Sequence, residues 1–398
     1  MATENNNKTL NVPNLRFPEF SGEWKKTYIG ECFSKVENGL TYDTNNTSGV
    51  PVTRIETISD KSINYDRVGY ASVDDKISKY RMQYGDILFS HINSLKHIGK
   101  TAFYNATQPL YHGMNLLLLR SKKSLDSKFL YYTLNTYRFL HRCQVLANQA
   151  VNQASINTKE LKSVNISVPQ MLEQRKIAEF ISLLDERIDT QIKIIEKLES
   201  LIRGISNSLL YADNGTSVRI GDILKERVEK TKVNNQHEVL SSTVKGIFSQ
   251  REYFSKDIAS ENNIGYKVIR LHDVVLSPQN LWMGNINYND RFEVGIVSPS
   301  YKIFTIADGY DKTFIASMLK THRALYNYML VSEQGASVVR RNLNMEAFEQ
   351  LVFKIPPYGK QCEIGRTMST LQNRLAIANS TKTAYEQQKQ WLLKHMFI

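Results

Sequence analysis

Apolar residues recur at alternating steps of four and three through Ile177, Ile181, Leu184, Ile188, Gln191, Ile195, Leu198, Ile202, Ile205 and Leu209. Nine of those ten positions are apolar, where the chain's 41% hydrophobic content would supply about four. The spacing predicts a long helix with a coiled-coil seam. A second run, Ile364, Met368, Leu371, Leu375, Ala378, Lys382, Tyr385, Lys389, Leu392 and Met396, keeps the rhythm with two lysines in it. At 1.5 Å per residue each helix would extend about 60 Å, too long to bury its stripe alone. Packing the two against each other, antiparallel, is the economical solution; it sets two globular units at opposite ends of a rod about an approximate two-fold axis. Gln191 would then approach the small Ala378, either fixing register or simply tolerated at the seam.

Upstream of each run the pattern changes. Stretches rich in β-branched and aromatic residues, broken by Asn-Gly and Ser-Gly turn signals, read as strands opening at Tyr28-Ile29-Gly30-Glu31 and at Arg219-Ile220-Gly221-Asp222. In both, a helix follows whose N-cap is an aspartate, in Asp126-Ser127-Lys128-Phe129 and Asp311-Lys312-Thr313-Phe314. A polar loop containing Asn148-Gln149 or Gln334-Gly335 leads to a short strand ending at Val168 or Ile355, where proline stops it. The fold class is therefore α+β, with two similar globular domains separated by two long helices. The mixed-sign run Lys225-Glu226-Arg227-Val228-Glu229-Lys230 reads as an exposed helical face.

The two halves repeat. Val168-Pro169-Gln170-Met171-Leu172-Glu173-Gln174-Arg175-Lys176-Ile177 returns as Ile355-Pro356-Pro357-Tyr358-Gly359-Lys360-Gln361-Cys362-Glu363-Ile364, a step of 187 residues from Gln174 to Gln361. Asn157 and Asn344 keep that step, as do Asp86 and Asp273, within Gly85-Asp86-Ile87-Leu88 and His272-Asp273-Val274-Val275. A shared offset at separated points implies tandem copies of one domain-sized unit. The boundaries expected are a tail at 1–14, a first globular domain at 15–168, a central helix at 169–212, a second globular domain at 213–354 and a final helix at 355–398.

Length and composition leave room for two cores. No run of about 18 apolar residues exists, and Met1 to Thr9 is polar without an apolar signal core, so the expectation is a cytoplasmic protein with no membrane partner. Cys32, Cys143 and Cys362 are far apart, with no Cys-x-x-Cys pair and no histidines at ligand spacing; they read as packing residues, and no metal site is expected. A net charge of +12 points toward a polyanionic partner.

Fragments that imitate active sites fail on chemistry. Gly99-Lys100-Thr101 resembles the end of a phosphate-binding loop, but Ser94 stands where its first glycine is needed. Ile355-Pro356-Pro357-Tyr358 resembles an amino-methyltransferase motif, yet Ile355 cannot accept a hydrogen bond from a target amine, and its repeat partner Val168 is apolar too. No glycine-rich loop for S-adenosylmethionine and no acidic cluster for Mg²⁺ appears. No catalytic residue is expected.

The opening Pro13-Asn14-Leu15-Arg16-Phe17-Pro18-Glu19-Phe20-Ser21-Gly22-Glu23-Trp24, followed by Ile29-Gly30-Glu31, the block Gly85-Asp86-Ile87-Leu88-Phe89-Ser90 and Glu173-Gln174-Arg175-Lys176-Ile177-Ala178 resemble the DNA-specificity subunit of Type I restriction-modification enzymes. The resemblance covers nearly the whole chain; the second half departs from it where Gly85 becomes His272 and where Gly359-Lys360-Gln361-Cys362-Glu363-Ile364 replaces the cleaner first copy. It implies a non-catalytic reader of double-stranded DNA, each domain recognising one half of a bipartite, asymmetric target. It also implies two adenine-methylating subunits and ATP-driven restriction and translocation subunits as partners, which would carry the S-adenosylmethionine, ATP and Mg²⁺. Independently, two basic domains held apart by such a rod could engage sites one to two helical turns apart on one face of DNA.

Candidates for DNA contact fall in two pairs of loops. The first pair is the segment from Ser90 to Lys100, with His91, Asn93, Lys96, His97 and Lys100, and its counterpart Ser277 to Gly284, with Gln279, Asn280 and Trp282. The second holds Asn148, Gln149, Asn152 and Gln153 in one copy and Arg340, Arg341 and Asn342 in the other. Amides, lysines and arginines can read base edges or hold phosphate. The competing readings are a coiled-coil scaffold that binds only protein and a standalone DNA methyltransferase or nuclease.

Overall fold

The computed structural model describes residues 10–59, 62–73, 77–150, 153–209, 215–253, 262–334 and 341–398. Its contacts divide into two compact units, Met1–Thr190 with Thr381–Ile398, and Gln191–Ser380. In the first unit the chain runs through β1 (Lys25–Tyr28), β2 (Phe33–Asn38), β3 (Ile87–Phe89), β4 (Ile92–Asn93), β5 (Thr101–Phe103) and β6 (Leu117–Ser121). There follow α1 (Ser127–Leu134), α2 (Tyr137–Leu146), β7 (Asn148–Ala150), β8 (Gln153–Ser155), α3 (Thr158–Lys162), β9 (Asn165–Val168) and the start of α4 (Met171–Leu209), with shorter pieces between. The second unit has β10 (Thr216–Arg219), β11 (Leu224–Glu226), β12 (Val274–Leu276), β13 (Ile286–Tyr288), β14 (Lys302–Ile306), α5 (Lys312–Leu319) and α6 (His322–Leu330). It continues through β15 (Ser332–Gln334), β16 (Arg341–Leu343), α7 (Met345–Glu349), β17 (Val352–Ile355) and the start of α8 (Tyr358–His395).

Each unit is built on a four-stranded antiparallel sheet, in the order β2-β6-β3-β5 and β11-β14-β12-β13. The two-residue period of the strands explains why these sheets are apolar on both faces. Ile87, Phe89, Leu117 and Leu119 enter one core while Leu88, Leu118 and Ala102 enter another. In the second unit Val274, Leu276, Phe304 and Ile306 face one way, and Val275 and Ile303 the other. A separate strand pair, β1 with β9 or β10 with β17, carries the chain to the proline where its long helix begins.

The repeated residues hold repeated hydrogen bonds. The Asp126 and Asp311 carboxylates cap α1 and α5 by accepting from the Phe129 and Phe314 amides, each at 2.8 Å. Asn157 and Asn344 cap α3 and α7 likewise. Gln174 explains the motif it sits in. It is buried, its Oε1 accepts from the Asp126 amide at 2.9 Å, and its Nε2 donates to the Pro169 carbonyl at 2.8 Å. Gln361 repeats both bonds, with the Asp311 amide at 3.0 Å and the Pro356 carbonyl at 2.9 Å. One side chain therefore joins the stop of a strand, the cap of a helix and the first turn of the long helix.

Glu173 has a role in one copy only. Its carboxylate, fully buried, takes two parallel bonds from Arg16 at 2.7 Å and one from the Trp24 indole at 3.2 Å. That clamps the opening segment, whose Leu15 amide donates to the His395 carbonyl at 2.9 Å and whose Trp24 meets Phe129 and Phe397 edge-on. At the repeated position, Lys360 points outward and pairs with Glu363 at 2.8 Å.

Within the first unit the start of α4 packs antiparallel on the end of α8: Ile177, Ile181 and Leu184 share a core with Leu392, Leu393, Met396 and Phe397. Within the second, Ile202 and Ile205 pack on the core that holds Ile364 and Met368. Ala378 is buried, and Ile188, Gln191, Ile195, Leu198, Leu371, Leu375 and Tyr385 are half-buried; the Leu209 side chain lies outside the described residues. The seam lysine Lys389 is ion-paired with Asp185, which also accepts from the Tyr132 hydroxyl at 2.8 Å. Lys389 lies 5.4 Å from the Tyr132 ring centre, so its charge is met on two sides.

Two sequence expectations are corrected. Lys225–Lys230 is not a helix: Leu224–Glu226 pairs with β14. Arg227 then turns in to the buried Asp273 carboxylate, with Nε at 2.9 Å and Nη2 at 3.0 Å. The polar segment after α2 is likewise no plain loop, because Asn148–Ala150 and Gln153–Ser155 form a hairpin.

Gln174→Leu strands the Asp126 amide and the Pro169 carbonyl, and the expected loss is about 2 to 5 kcal/mol, read as a lower midpoint of chemical unfolding. A double-mutant cycle on Asp185→Asn and Lys389→Met should give a coupling of about 0.5 to 3 kcal/mol; strict additivity would mean the pair does not hold the helices.

Candidate nucleic-acid interface

In the first unit the chain leaves β3 into a loop closed at its neck by two backbone bonds, Ser90 to the Lys100 carbonyl at 2.8 Å and Gly99 to the Ser90 carbonyl at 2.9 Å. Gly99 turns the chain with a φ of +84°, and a Cβ there would touch Leu140 of α2. Between these points β4 pairs with β8, Asn93 facing Ala154 and Ile92 facing Ser155, while β8 pairs with β7. The two candidate loops, nearly fifty residues apart in sequence, thus contribute to one three-stranded sheet.

Within that sheet the candidates separate by role. Lys96, Lys100, Asn148, Gln149 and Gln153 are exposed. Asn93 is occupied with shaping the turn, donating to the Ser90 hydroxyl at 3.2 Å and accepting from the Ser94 amide at 2.8 Å. His97 Nδ1 is engaged with the Ser94 hydroxyl at 2.9 Å. His91 departs from expectation: its side chain is buried beneath the loop with Nδ1 unpartnered among the described residues, and burial pushes its pKa down to about 4. It is neutral near pH 7 and supports the loop from below. Asn152 lies outside the described residues.

The second unit reaches a related arrangement by other contacts. Ser277 donates to the Asn285 carbonyl at 3.0 Å, closing the loop after β12, and Gly284, with φ +95°, packs beside Leu325 of α6. β15 and β16 form the neighbouring hairpin. It is joined to the loop by a bond from the Arg341 amide to the Gln279 carbonyl at 3.2 Å and by the Arg341 guanidinium, 4.8 Å over the Trp282 ring. Trp282 Nε1 and Arg341 Nε are buried without hydrogen-bond partners among the described residues. Gln279 and Asn342 are exposed and Asn280 is half-buried. Arg340 lies outside the described residues.

Three features of these faces escaped the sequence reading. Glu333, exposed opposite Asn342, adds an acidic group to a face where only neutral and basic candidates were expected. Gly99 and Gly284 close the two loops, and Leu140 and Leu325 receive them. A step of 185 residues relates both pairs, and Asp126 to Asp311 as well, so a search for a second offset beside 187 would have found them. No helix of the described residues is long and apolar enough to cross a membrane, and none of their His, Cys, Asp and Glu side chains form a group of three able to hold a metal.

The model for the Type I restriction modification DNA specificity domain matches residues 21–200. A putative Type I restriction enzyme specificity subunit, MjaX, from Methanocaldococcus jannaschii is 40% identical over 207 residues, which are 51% of this chain and 49% of that relative. The MjaVIII specificity subunit of the same organism is 26% identical over 176 residues, 41% of this chain and 39% of that relative. The chain thus spans about half the length, or less, of the curated relatives it matches. Among solved structures, the S subunit of a Type I restriction-modification system from M. genitalium has a TM-score of 0.63 at 14% identity, covering 97% of this chain and 99% of that one, which is a likeness of fold. Residues 21–200, which take in the whole first face and most of α4, thus match the Type I restriction modification DNA specificity domain, and the chain shares its fold with that S subunit over nearly its full length.

Proposed function

We propose that this chain is the non-catalytic subunit that reads a bipartite, asymmetric DNA sequence, each unit taking one half-site. Partner subunits would supply the chemistry: two adenine-methylating subunits, and restriction subunits driven by ATP, with S-adenosylmethionine, ATP and Mg²⁺ held by those partners. The observation that carries this reading is the convergence, in each unit separately, of two distant loops into one donor-bearing face beside a short helix. Lys96, Lys100, Asn148, Gln149 and Gln153 make up the first set of reading groups, and Gln279, Trp282, Arg341 and Asn342 the second. The faces are unlike in sequence, so they would read different bases and make the target asymmetric although the scaffold repeats. Amides suit adenine edges, and a lysine or arginine suits guanine or phosphate. A net charge of +12 supports attraction to the duplex, which a scaffold binding only protein does not need.

Purified chain should bind duplex DNA with an affinity that falls steeply with salt and transfer no methyl group alone; with its methylating partner it should direct adenine methylation to one sequence. Gln149→Ala and Arg341→Ala should each cost about 1 to 3 kcal/mol on the preferred site and relax specificity at one position. Methyl transfer by the chain alone, or binding indifferent to both sequence and salt, would defeat the reading.

A further inference from the structure

Beside each reading face stands a helix that the sequence reading left without a role. In the first unit α2 presents Tyr137, Arg138, His141, Arg142 and Val145 to solvent, with Tyr137 81% exposed. The Tyr137 and His141 rings stack in parallel, 5.8 Å between centres at an interplanar angle of 2°. The 185-residue step lays α2 on α6, where His322, Arg323, Tyr326 and Leu330 are also exposed. Tyrosine and histidine exchange places, the arginine stays, and an apolar residue ends the stripe. Neither helix contains an aspartate or glutamate.

Both helices are fixed to their reading loops. Leu140 and Leu325, on their inner sides, receive the left-handed glycines that close those loops. A single residue, Ala147 or Val331, separates each helix from the hairpin that completes the face. The bases a loop must read differ between the units, and so do the loops. What does not change from one half-site to the other is the sugar-phosphate backbone, and what does not change between the units is this aromatic and cationic stripe.

We propose that the outer faces of α2 and α6 dock on the DNA backbone flanking each half-site. Arg138 and Arg323 would meet phosphates, and the exposed rings would lie against sugars with the Tyr137 and Tyr326 hydroxyls as further donors. These are positioning residues: they set where the reading loops fall without choosing bases. The inference rests on the DNA-reading role proposed above.

The test uses the full chain with Arg138→Ala, Arg323→Ala, the pair together, and Arg138→Lys, on a random-sequence duplex and on the preferred site across a salt series. Each arginine lost to alanine should weaken binding alike on both duplexes and lower the slope of log affinity against log salt by about 1. Sequence preference should stay as it was, and Arg138→Lys should keep the slope. If the intact chain binds steeply with salt and the alanine variants match it, or if they alter base preference instead, the flank is overturned while the reading role stands. Absence of salt-dependent binding by the intact chain overturns that role and the flank with it.

Discussion

A buried glutamine amide governs how each half of this molecule is put together. Gln174 and Gln361 each span a proline carbonyl at the end of a strand and the backbone amide of an aspartate that caps a helix. An amide carries both a donor and an acceptor, so it can satisfy both groups at once, whereas a carboxylate, an amine or an apolar chain would leave one of them buried and unpaired. Because the glutamine sits on the first turn of the long helix, the same bonds fix where that helix starts and the direction in which it leaves the sheet. The seam, the cores built on it and the loops at the far end of the strands inherit that direction.

Around this constant the two copies solve the same problems with different residues. The carboxylates of Asp86 and Asp273 are buried in equivalent turns, but Arg120 of β6 reaches the first and Arg227, just after β11, the second. Gly85 turns the chain at φ +89°; its counterpart His272 does so at +73°, a conformation costing a side-chain-bearing residue about 1 to 2 kcal/mol. Stacking on Tyr288 and a bond between Nδ1 and the Tyr288 hydroxyl at 2.5 Å offset that cost. Glu173 takes Arg16 and Trp24 from the N-terminal arm; at the repeated position Lys360 pairs with Glu363 instead. The frame is kept, and local partners compensate each change.

What could be read from sequence follows from what is local. The aspartate caps, the proline stops and the four-three apolar rhythm depend on neighbours within a few residues, and the structure carries all three. The strand pairs Asn148–Ala150 with Gln153–Ser155 and Ser332–Gln334 with Arg341–Leu343 have little pattern of their own; distant contacts anchor them, Ala154 pairing with Asn93 and the Arg341 amide bonding to the Gln279 carbonyl. Lys225–Lys230 looks solvated by its charges, yet the demand of a buried aspartate some forty-five residues later makes it extended. His91 lies two residues from Asn93 and is as polar, but the backbone turns it under the sheet, which composition does not record.

The most direct test of two separate reading faces is to map N6-methyladenine across the genome of cells that express this chain with the methylating subunit proposed as its partner. The map is then repeated after exchanging only the Ser277–Gly284 loop and the β15–β16 hairpin for those of a Type I specificity subunit of known target. The account expects an asymmetric target in two parts with a fixed spacer, one part changing with the exchange while the other part and the spacer stay. A continuous or palindromic target, or both parts changing together, would contradict it.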